Sequence, residues 1–407
     1  MRSRRWERVR QAVDGLVDYQ QRHGGGNYAA KSLCDLAVEA KSLGNHSLQL
    51  ELTERAVGQN PKDGWAWAQQ GDALLNNGRL EDALLAFDNS VAFGAFIVGK
   101  VGRAQVFKSK GHYDKALAAY AEVIIENPEN VVAKNGRAEV LKVMGRFPEA
   151  LQAFDGITKD HSENVVAKCG RAEVLKAMGR FPEALQAFEK VTKDHSEDVV
   201  AKCGRAEVLK ALGELNESAM AYAGIREQHS GNLIARNGYA AVLLMLGKYD
   251  MALELLPSLN PESVEDWIGW HIRGMTLLRM GRFDDALNVL ELGAGESPLI
   301  SRDYFRTALA VAHLWQDDWE SAQIQLFKVT EPKLRQVGNV VWLHIHAANN
   351  NRAGVEQSIA ELGKNNPPAL VIELTEELRL RYLEKKQGRH SDQWLREREV
   401  DCLALAA

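Results

Sequence analysis

The sequence predicts an all-α chain, an array of about eleven antiparallel helix pairs. Three observations predict it. First, one phrase recurs at a fixed interval: KNGRAEVLK at Lys134–Lys142, KCGRAEVLK at Lys168–Lys176, and KCGRAEVLK again at Lys202–Lys210, 34 residues apart each time. Second, a turn phrase recurs at steps of 33 and then 34 five times: GRLEDAL at Gly78, GHYDKAL at Gly111, GRFPEAL at Gly145 and Gly179, GELNESA at Gly213, GKYDMAL at Gly247 and GRFDDAL at Gly281. A fixed period of this length marks a repeated supersecondary unit that buries its apolar face only by stacking on its neighbours. Third, alternating β-branched runs are nearly absent and only ten prolines punctuate the 407 residues, which leaves helix as the regular structure.

The elements follow in chain order. Residues 1–62 hold an N-terminal helix and a degenerate first repeat. The opening stretch MRSRRWERVRQAVDGLVDYQQRH is basic, with five Arg among its first ten residues, but lacks the apolar core and small-residue site of a secretory leader. GGGN at Gly24–Asn27 reads as a flexible break, and GNHSLQL at Gly44 keeps the 34-residue step. Residues 63–298 form the regular array. In its type unit, Val131–Asn164, Asn130 caps a helix over Val131–Met144, whose face carries Ala138, Leu141 and Met144. Gly145 ends it in left-handed geometry. Pro148 then opens a second helix at its first turn, with the stripe Ala150, Leu151, Phe154 and Ile157, and Asn164 caps the next unit. The following copy, Val165–Asp198, differs at only six places, so the repeated phrase is architecture. Residues 299–407 are less regular: GAGESPLISRDY and NNPPAL suggest longer turns between degenerate pairs, DDWESAQ, NRAGVEQ and GRHSDQW continue the step with small slips, and the last stretch gives closing helices.

These features resemble the tetratricopeptide repeat family. One unit supplies Trp67, Gly71, Leu74, Gly78, Ala83 and Phe87, another Trp270, Gly274, Gly281 and Ala286, and Asn127–Pro128 matches the closing proline. The resemblance implies a right-handed superhelical solenoid whose first (A) helices line a concave groove. It also implies groove residues at places 2, 5, 9, 12 and 13 of each unit. Those places hold Val132, Asn135, Glu139, Lys142 and Val143; then Val166, Cys169, Glu173, Lys176 and Ala177; then Val200, Cys203, Glu207, Lys210 and Ala211. Further along they hold Ile234, Asn237, Ala241, Leu244 and Met245, then Ile268, His271, Met275, Leu278 and Arg279. The expected groove is therefore a Glu/Lys ladder that gives way to an apolar patch around Leu244, Met245 and Met275. The subclass of the family that grips a C-terminal carboxylate does so with Lys and Asn at places 5 and 9. Here those places hold Asn or Cys and then Glu, which would repel that ligand.

A second column is basic: Lys134 and Arg137, Lys168 and Arg171, Lys202 and Arg205, each pair three residues apart on a helix A. A track for a nucleic-acid backbone is one reading. The other is long stems covering apolar surface with their heads on neighbouring Glu residues. The net charge of −5 and the lack of interleaved aromatics argue against nucleic acid.

Candidate chemistry is thin. His161, His195 and His229 recur once per unit in KDHSE-type turns, and His344 and His346 point to different faces of a helix, so no metal set is expected. Cys34, Cys169, Cys203 and Cys402 show neither a disulfide framework nor CxxC spacing, which suits a reducing cytoplasm. No cradle for a phosphate or other cofactor is read, no catalytic residue is assigned, and no apolar run reaches membrane-spanning length. The final LALAA resembles the tail of the bacterial tmRNA degradation tag, which implies controlled turnover. The expectation is a non-enzymatic cytoplasmic scaffold or adaptor that binds a protein partner in its groove, with a homo-oligomer allowed. A regulatory or inhibitory subunit of an effector enzyme in a bacterial signalling or defence system is the alternative, and a nucleic-acid binder ranks below both.

Overall fold

The computed structural model describes residues 26–42, 45–256, 266–296, 299–349, 351–363 and 369–384, with a few more between 11 and 22. The basic start, the first glycines of GGGN, most of NNPPAL, GRHSDQW, Cys402 and LALAA lie outside the described residues. Among the described residues every regular element is helical. In order they are α1 Gly26–Ser42, α2 His46–Gln59, α3 Gly64–Asn76, α4 Leu80–Ala92, α5 Phe96–Ser109, α6 Tyr113–Glu126, α7 Val131–Val143, α8 Phe147–Asp160, α9 Val165–Ala177, α10 Phe181–Asp194 and α11 Val199–Leu212. There follow α12 Leu215–Gln228, α13 Leu233–Met245, α14 Tyr249–Leu255, α15 Trp267–Arg279, α16 Phe283–Glu296, α17 Leu299–Trp315, α18 Trp319–Phe327, α19 Pro332–Ala348, α20 Arg352–Leu362, α21 Ala369–Leu378 and a π-helical turn at Arg379–Leu383. The helices pack in adjacent pairs, an odd-numbered helix A with the even-numbered helix B after it. The chain divides into two compact units, residues 1–170 and 171–407.

Within each unit the repeated local chemistry sets the helix ends. In unit 1 the Asn130 and Asn164 side chains accept from the Ala133 and Ala167 amides at 2.8 Å. In unit 2 Asp198 and Asn232 do the same for Ala201 and Ala235, at 2.7 and 2.8 Å. Each satisfies an amide the helix leaves unpaired. At the A-to-B turn Gly145 takes φ +72°, its amide donates to Lys142 at 3.0 Å, and the Arg146 amide donates to Leu141 at 2.9 Å. This closure needs a left-handed residue, and the turn glycines from Gly78 to Gly281 all supply it. One step past the regular array Asp317 takes over the role at φ +59°.

The contact between successive pairs is a ring against a glycine. In unit 1 the Phe87 ring lies on Gly102, Tyr120 on Gly136 and Phe154 on Gly170, so closely that a Cβ on any of these glycines would overlap the ring. In unit 2 Phe188 meets Gly204 and Tyr222 meets Gly238 in the same way. The ring comes from a helix B and the glycine from the next helix A, and all five rings are buried. The absent side chain lets the helices approach and gives the ring a socket, which suits a close-packed interior.

The C-terminal pairs depart from the sequence expectation. GAGE at Gly293–Glu296 is no turn: α16 runs through it. Gly293 lies under the Phe305 ring, so glycine on helix B and ring on helix A have exchanged roles there. GGGN is likewise no break at its end, since Gly26 and Asn27 begin α1. The entry to α19 is capped from a distance. Buried Asp303 on α17 accepts from the Thr330 amide at 2.6 Å, the Thr330 hydroxyl at 2.8 Å, the Glu331 amide at 2.8 Å and Arg306 at 2.8 Å. Burial pulls the Asp303 carboxyl up, and these donors outweigh it and hold it below its ordinary value.

The ring-on-glycine contact predicts that Gly136→Val destabilises unit 1 by about 1–3 kcal/mol, the usual cost of overpacking. Gly156→Val on α8, where nothing crowds the added atoms, is the control and costs less in urea unfolding followed by circular dichroism.

Candidate functional site

The A helices carry most of the residues that the sequence marks as functional, and packing sorts them by burial. Place 2 is exposed. In unit 1 Val132 and Val166 are each 60% accessible, and in unit 2 Val200 and Ile234 are 64% and 65% accessible. Place 5 is closed: Asn135, Cys169, Cys203, Asn237 and His271 are all buried. These five were expected to line an open groove. They sit one turn further along the helix, on the side that meets the neighbouring helix A.

The Glu/Lys ladder is a set of internal ion pairs. In unit 1 Lys142 Nζ lies 2.8 Å from Glu139. In unit 2 Lys176 Nζ lies 2.9 Å from Glu173 and 3.9 Å from Glu207, while Lys210 Nζ lies 3.6 Å from Glu207. Burial lowers the Lys176 pKa, but the carboxylates of Glu207 and Glu173 outweigh it and hold the ammonium above its ordinary value. Glu207 also accepts from the Tyr222 hydroxyl at 3.0 Å. Burial, then Glu207, pushes the Tyr222 phenol well up, so it stays a donor.

Unit 2 adds a concavity of about 310 Å³ among α11, α13 and α15. Glu207 and Lys210 form one wall, Leu233, Ile234 and Asn237 the second, and Asp266, Ile268 and Ile272 the third. Asp266 ties the walls together. It caps α15 at Gly269, accepts from Asn237 Nδ2 at 2.8 Å and pairs with Arg236.

The expected apolar half of the groove is not a surface. Leu244, Met245 and Met275 are buried in a core cluster with Trp270, Phe305, Leu309 and the alanines of α17. The neighbouring helices α14 to α17 pack around these residues, so the chain itself covers the apolar patch. Arg279 is half-buried and donates to the Tyr249 hydroxyl at 2.9 Å.

The basic column is answered largely by carboxylates of neighbouring B helices. Lys100 and Arg103, which hold the same two places in the preceding helix A, pair with Glu126 at 2.5 Å and with Asp88 at 3.1 Å. Arg205 faces Glu189 at 3.4 Å, and Lys202 donates to Gln228 at 3.1 Å. Arg137 and Arg171 each help to lower the pKa of a carboxyl, Glu149 and Glu183 respectively, whose main partner is an adjacent Arg. Lys134 and Lys168 share the same half-buried place. The repeated histidines are helix ends: the amides of His161, His195 and His229 close α8, α10 and α12. His344 meets Tyr382 and His346 stacks on Trp342, so the two diverge. Cys34, Cys169 and Cys203 are buried thiols outside any disulfide, and burial pushes Cys34 up to about 12 and Cys203 up to about 11.

A tetratricopeptide repeat family model matches residues 109–169, and a second matches residues 34–96 and 169–232. The chain is a tetratricopeptide-repeat protein. Among solved structures it is similar to a tetratricopeptide repeat protein from Parabacteroides merdae, at 16% identity and TM-score 0.48 over 61% of this chain and 98% of that one. It is similar to a thermophilic TPR protein of Thermus thermophilus, at 22% identity and TM-score 0.42 over 44% and 99%. It is also similar to pilF of Pseudomonas aeruginosa, at 13% identity and TM-score 0.39 over 52% and 96%. A comparison with curated proteins finds no match.

Tetratricopeptide repeats are protein-interaction modules, so the exposed places of the A helices are the candidate site. Sequence reasoning missed Leu233 and Asp266 there. Asp266 was detectable, because positions 130, 164, 198, 232 and 266 step by 34 and all hold Asn or Asp.

The covered patch predicts that Met275→Glu destabilises unit 2 by about 3–5 kcal/mol through a buried unpaired charge, read by denaturant unfolding. The same fold makes a pH prediction. Burial pushes the His271 imidazole from its ordinary value near 6.5 down to about 4. The unfolded chain therefore binds the proton more readily, and the stability owed to neutral His271 is complete above pH 6.5 and lost as pH falls towards 4. At pH 5 the loss relative to pH 7 is about 2 kcal/mol, and His271→Leu flattens that part of the profile in urea unfolding.

Proposed function

We propose that this chain is a non-catalytic scaffold that holds a segment of a protein partner against the exposed places of its A helices. The observation that carries the reading is the row at place 2. Val132 and Val166 in unit 1, and Val200 and Ile234 in unit 2, are β-branched residues more than half accessible. Val98 and Trp65 hold the same place in the two preceding A helices and are 40% and 48% accessible. Single exposed apolar residues need no explanation, but a row recurring at one place in successive helices is the kind of surface that marks an interaction site. Beside the row the Lys142 and Lys176 rungs of the Glu/Lys ladder are closed on their own carboxylates. Specificity then comes from shape and apolar contact, with ion pairs keeping the face wetted between partners. A reducing, cytoplasmic setting agrees with three buried cysteines that form no disulfide.

The nucleic-acid reading loses its main support, because the basic column spends much of its charge on Glu126, Asp88 and Glu189.

The double variant Val200→Glu with Ile234→Glu tests the proposal. Both residues are exposed, so the melting temperature stays within about 3 °C of wild type. A protein that co-purifies with the wild-type chain from its native host is lost from the variant, as read by quantitative mass spectrometry. An unchanged set of co-purifying proteins contradicts the reading.

A further inference from the structure

The three copies of the Glu–Lys pair are not equivalent. Lys142 and Lys176 lie 2.8 and 2.9 Å from their carboxylates, within hydrogen-bond reach. Lys210 lies 3.6 Å from Glu207, beyond it. The longer pair coincides with one added hydroxyl. Residues 154, 188 and 222 hold the same place in helix B, and they are Phe, Phe and Tyr. Where the ring is Phe, the pair closes. Where it is Tyr222, the phenol donates to the Glu207 oxygen that Lys210 would use, at 3.0 Å. The Lys210 side chain is only 5% accessible, and its ammonium has no hydrogen-bond acceptor among the described residues.

That ammonium lies on the wall of the unit 2 concavity. The other polar groups there are committed to one another: Asn237 donates to Asp266 at 2.8 Å, and Arg236 binds Asp266 and the Asn237 carbonyl oxygen. The rest of the lining is aliphatic, with Ile234 exposed at the mouth and Ile268 and Ile272 opposite. A carboxylate ligand at Lys210 would face Glu207 across the same nitrogen and Asp266 across the cavity. Like charges at such range disfavour it. An uncharged acceptor meets no such opposition.

We propose that this cavity receives an uncharged aliphatic residue of the partner segment, with a backbone carbonyl of that segment accepting a hydrogen bond from Lys210. The proposal deepens the groove-binding reading above and rests on it. Tyr222 is then a specificity-setting residue, which frees one lysine of the ladder for the partner. The concavity falls where the repeats stop being copies of each other.

The test uses the full chain and a phage-displayed library of random twelve-residue peptides. Selected peptides are synthesised, and their affinity is measured against wild type, Ile234→Glu, Lys210→Met, Tyr222→Phe and Val132→Glu. The expected selection is rich in Leu, Ile or Val and poor in Asp and Glu. Ile234→Glu weakens binding at least about tenfold and Lys210→Met about three- to tenfold, the size of one lost hydrogen bond to a charged donor. Tyr222→Phe lets Glu207 reclaim Lys210 and weakens binding to a similar degree. It folds normally, as the Phe at the two preceding copies indicates, and circular dichroism and melting confirm this. A selection dominated by acidic peptides or by a free C-terminal carboxylate overturns the proposed chemistry. Binding that ignores Ile234→Glu but falls with Val132→Glu overturns the site and leaves the groove reading standing. Selected peptides indifferent to both substitutions overturn both.

Discussion

One ring against one glycine sets each central helix pair on the next. A helix pair of about 34 residues cannot bury its apolar face alone, so everything else depends on how closely its neighbour can approach. Phe87, Tyr120 and Phe154 in unit 1, and Phe188 and Tyr222 in unit 2, fill sockets that exist only because Gly102, Gly136, Gly170, Gly204 and Gly238 have no side chain. That approach decides which residues of a helix A remain accessible. Place 5 is sealed, place 2 stays in solvent, and places 9 and 12 are left at an edge where Glu and Lys can pair. The surface available to a partner is thus what the packing leaves over.

Much of this was legible in the sequence, because the local devices recur with the period. The caps at Asn130, Asn164, Asp198 and Asn232, the left-handed glycines, and the prolines that open α8 and α10 each have a local cause that a single unit displays. The face of each helix that packs was also readable from Ala138, Leu141, Ala150, Phe154 and Ile157. Accessibility was not: place 5 is closed from Asn135 onward, and beyond Gly238 Leu244 and Met245, at places 12 and 13, close as well. Leu244, Met245 and Met275 hold places expected to be open, but α13 packs on α14 and α15, and α15 packs on α16 and α17, so all three lie inside one core cluster. The closeness of one helix to the next depends on side chains some 30–70 residues away, which a place-by-place transfer from one repeat to another does not register. Gly293 shows the same limit: it reads as a turn residue, yet it serves as a socket for Phe305 inside α16.

The same logic places the chemistry where the copies diverge. Near-identical units give near-identical closed ion pairs, which neutralise the face without singling out a place along it. A difference of one oxygen atom between Phe188 and Tyr222 breaks that uniformity, because the Glu207 oxygen that accepts from the phenol at 3.0 Å is the one from which Lys210 stands back at 3.6 Å. Asp266 adds a second difference by joining α13 to the start of α15. Architecture and specificity are therefore separable in this chain: the repeated residues build the frame, and a few departures from the repeat give one part of it a character of its own.

The central claim is that partners meet the A-helix face rather than the outer face of the B helices. Site-specific photocrosslinking in the native host tests it most directly. A benzophenone amino acid is placed in turn at Ile234 on α13 and at Met220, which is 75% accessible on α12. The account predicts a discrete crosslinked protein from position 234 and none from position 220. A crosslink from 220 with none from 234 would contradict it.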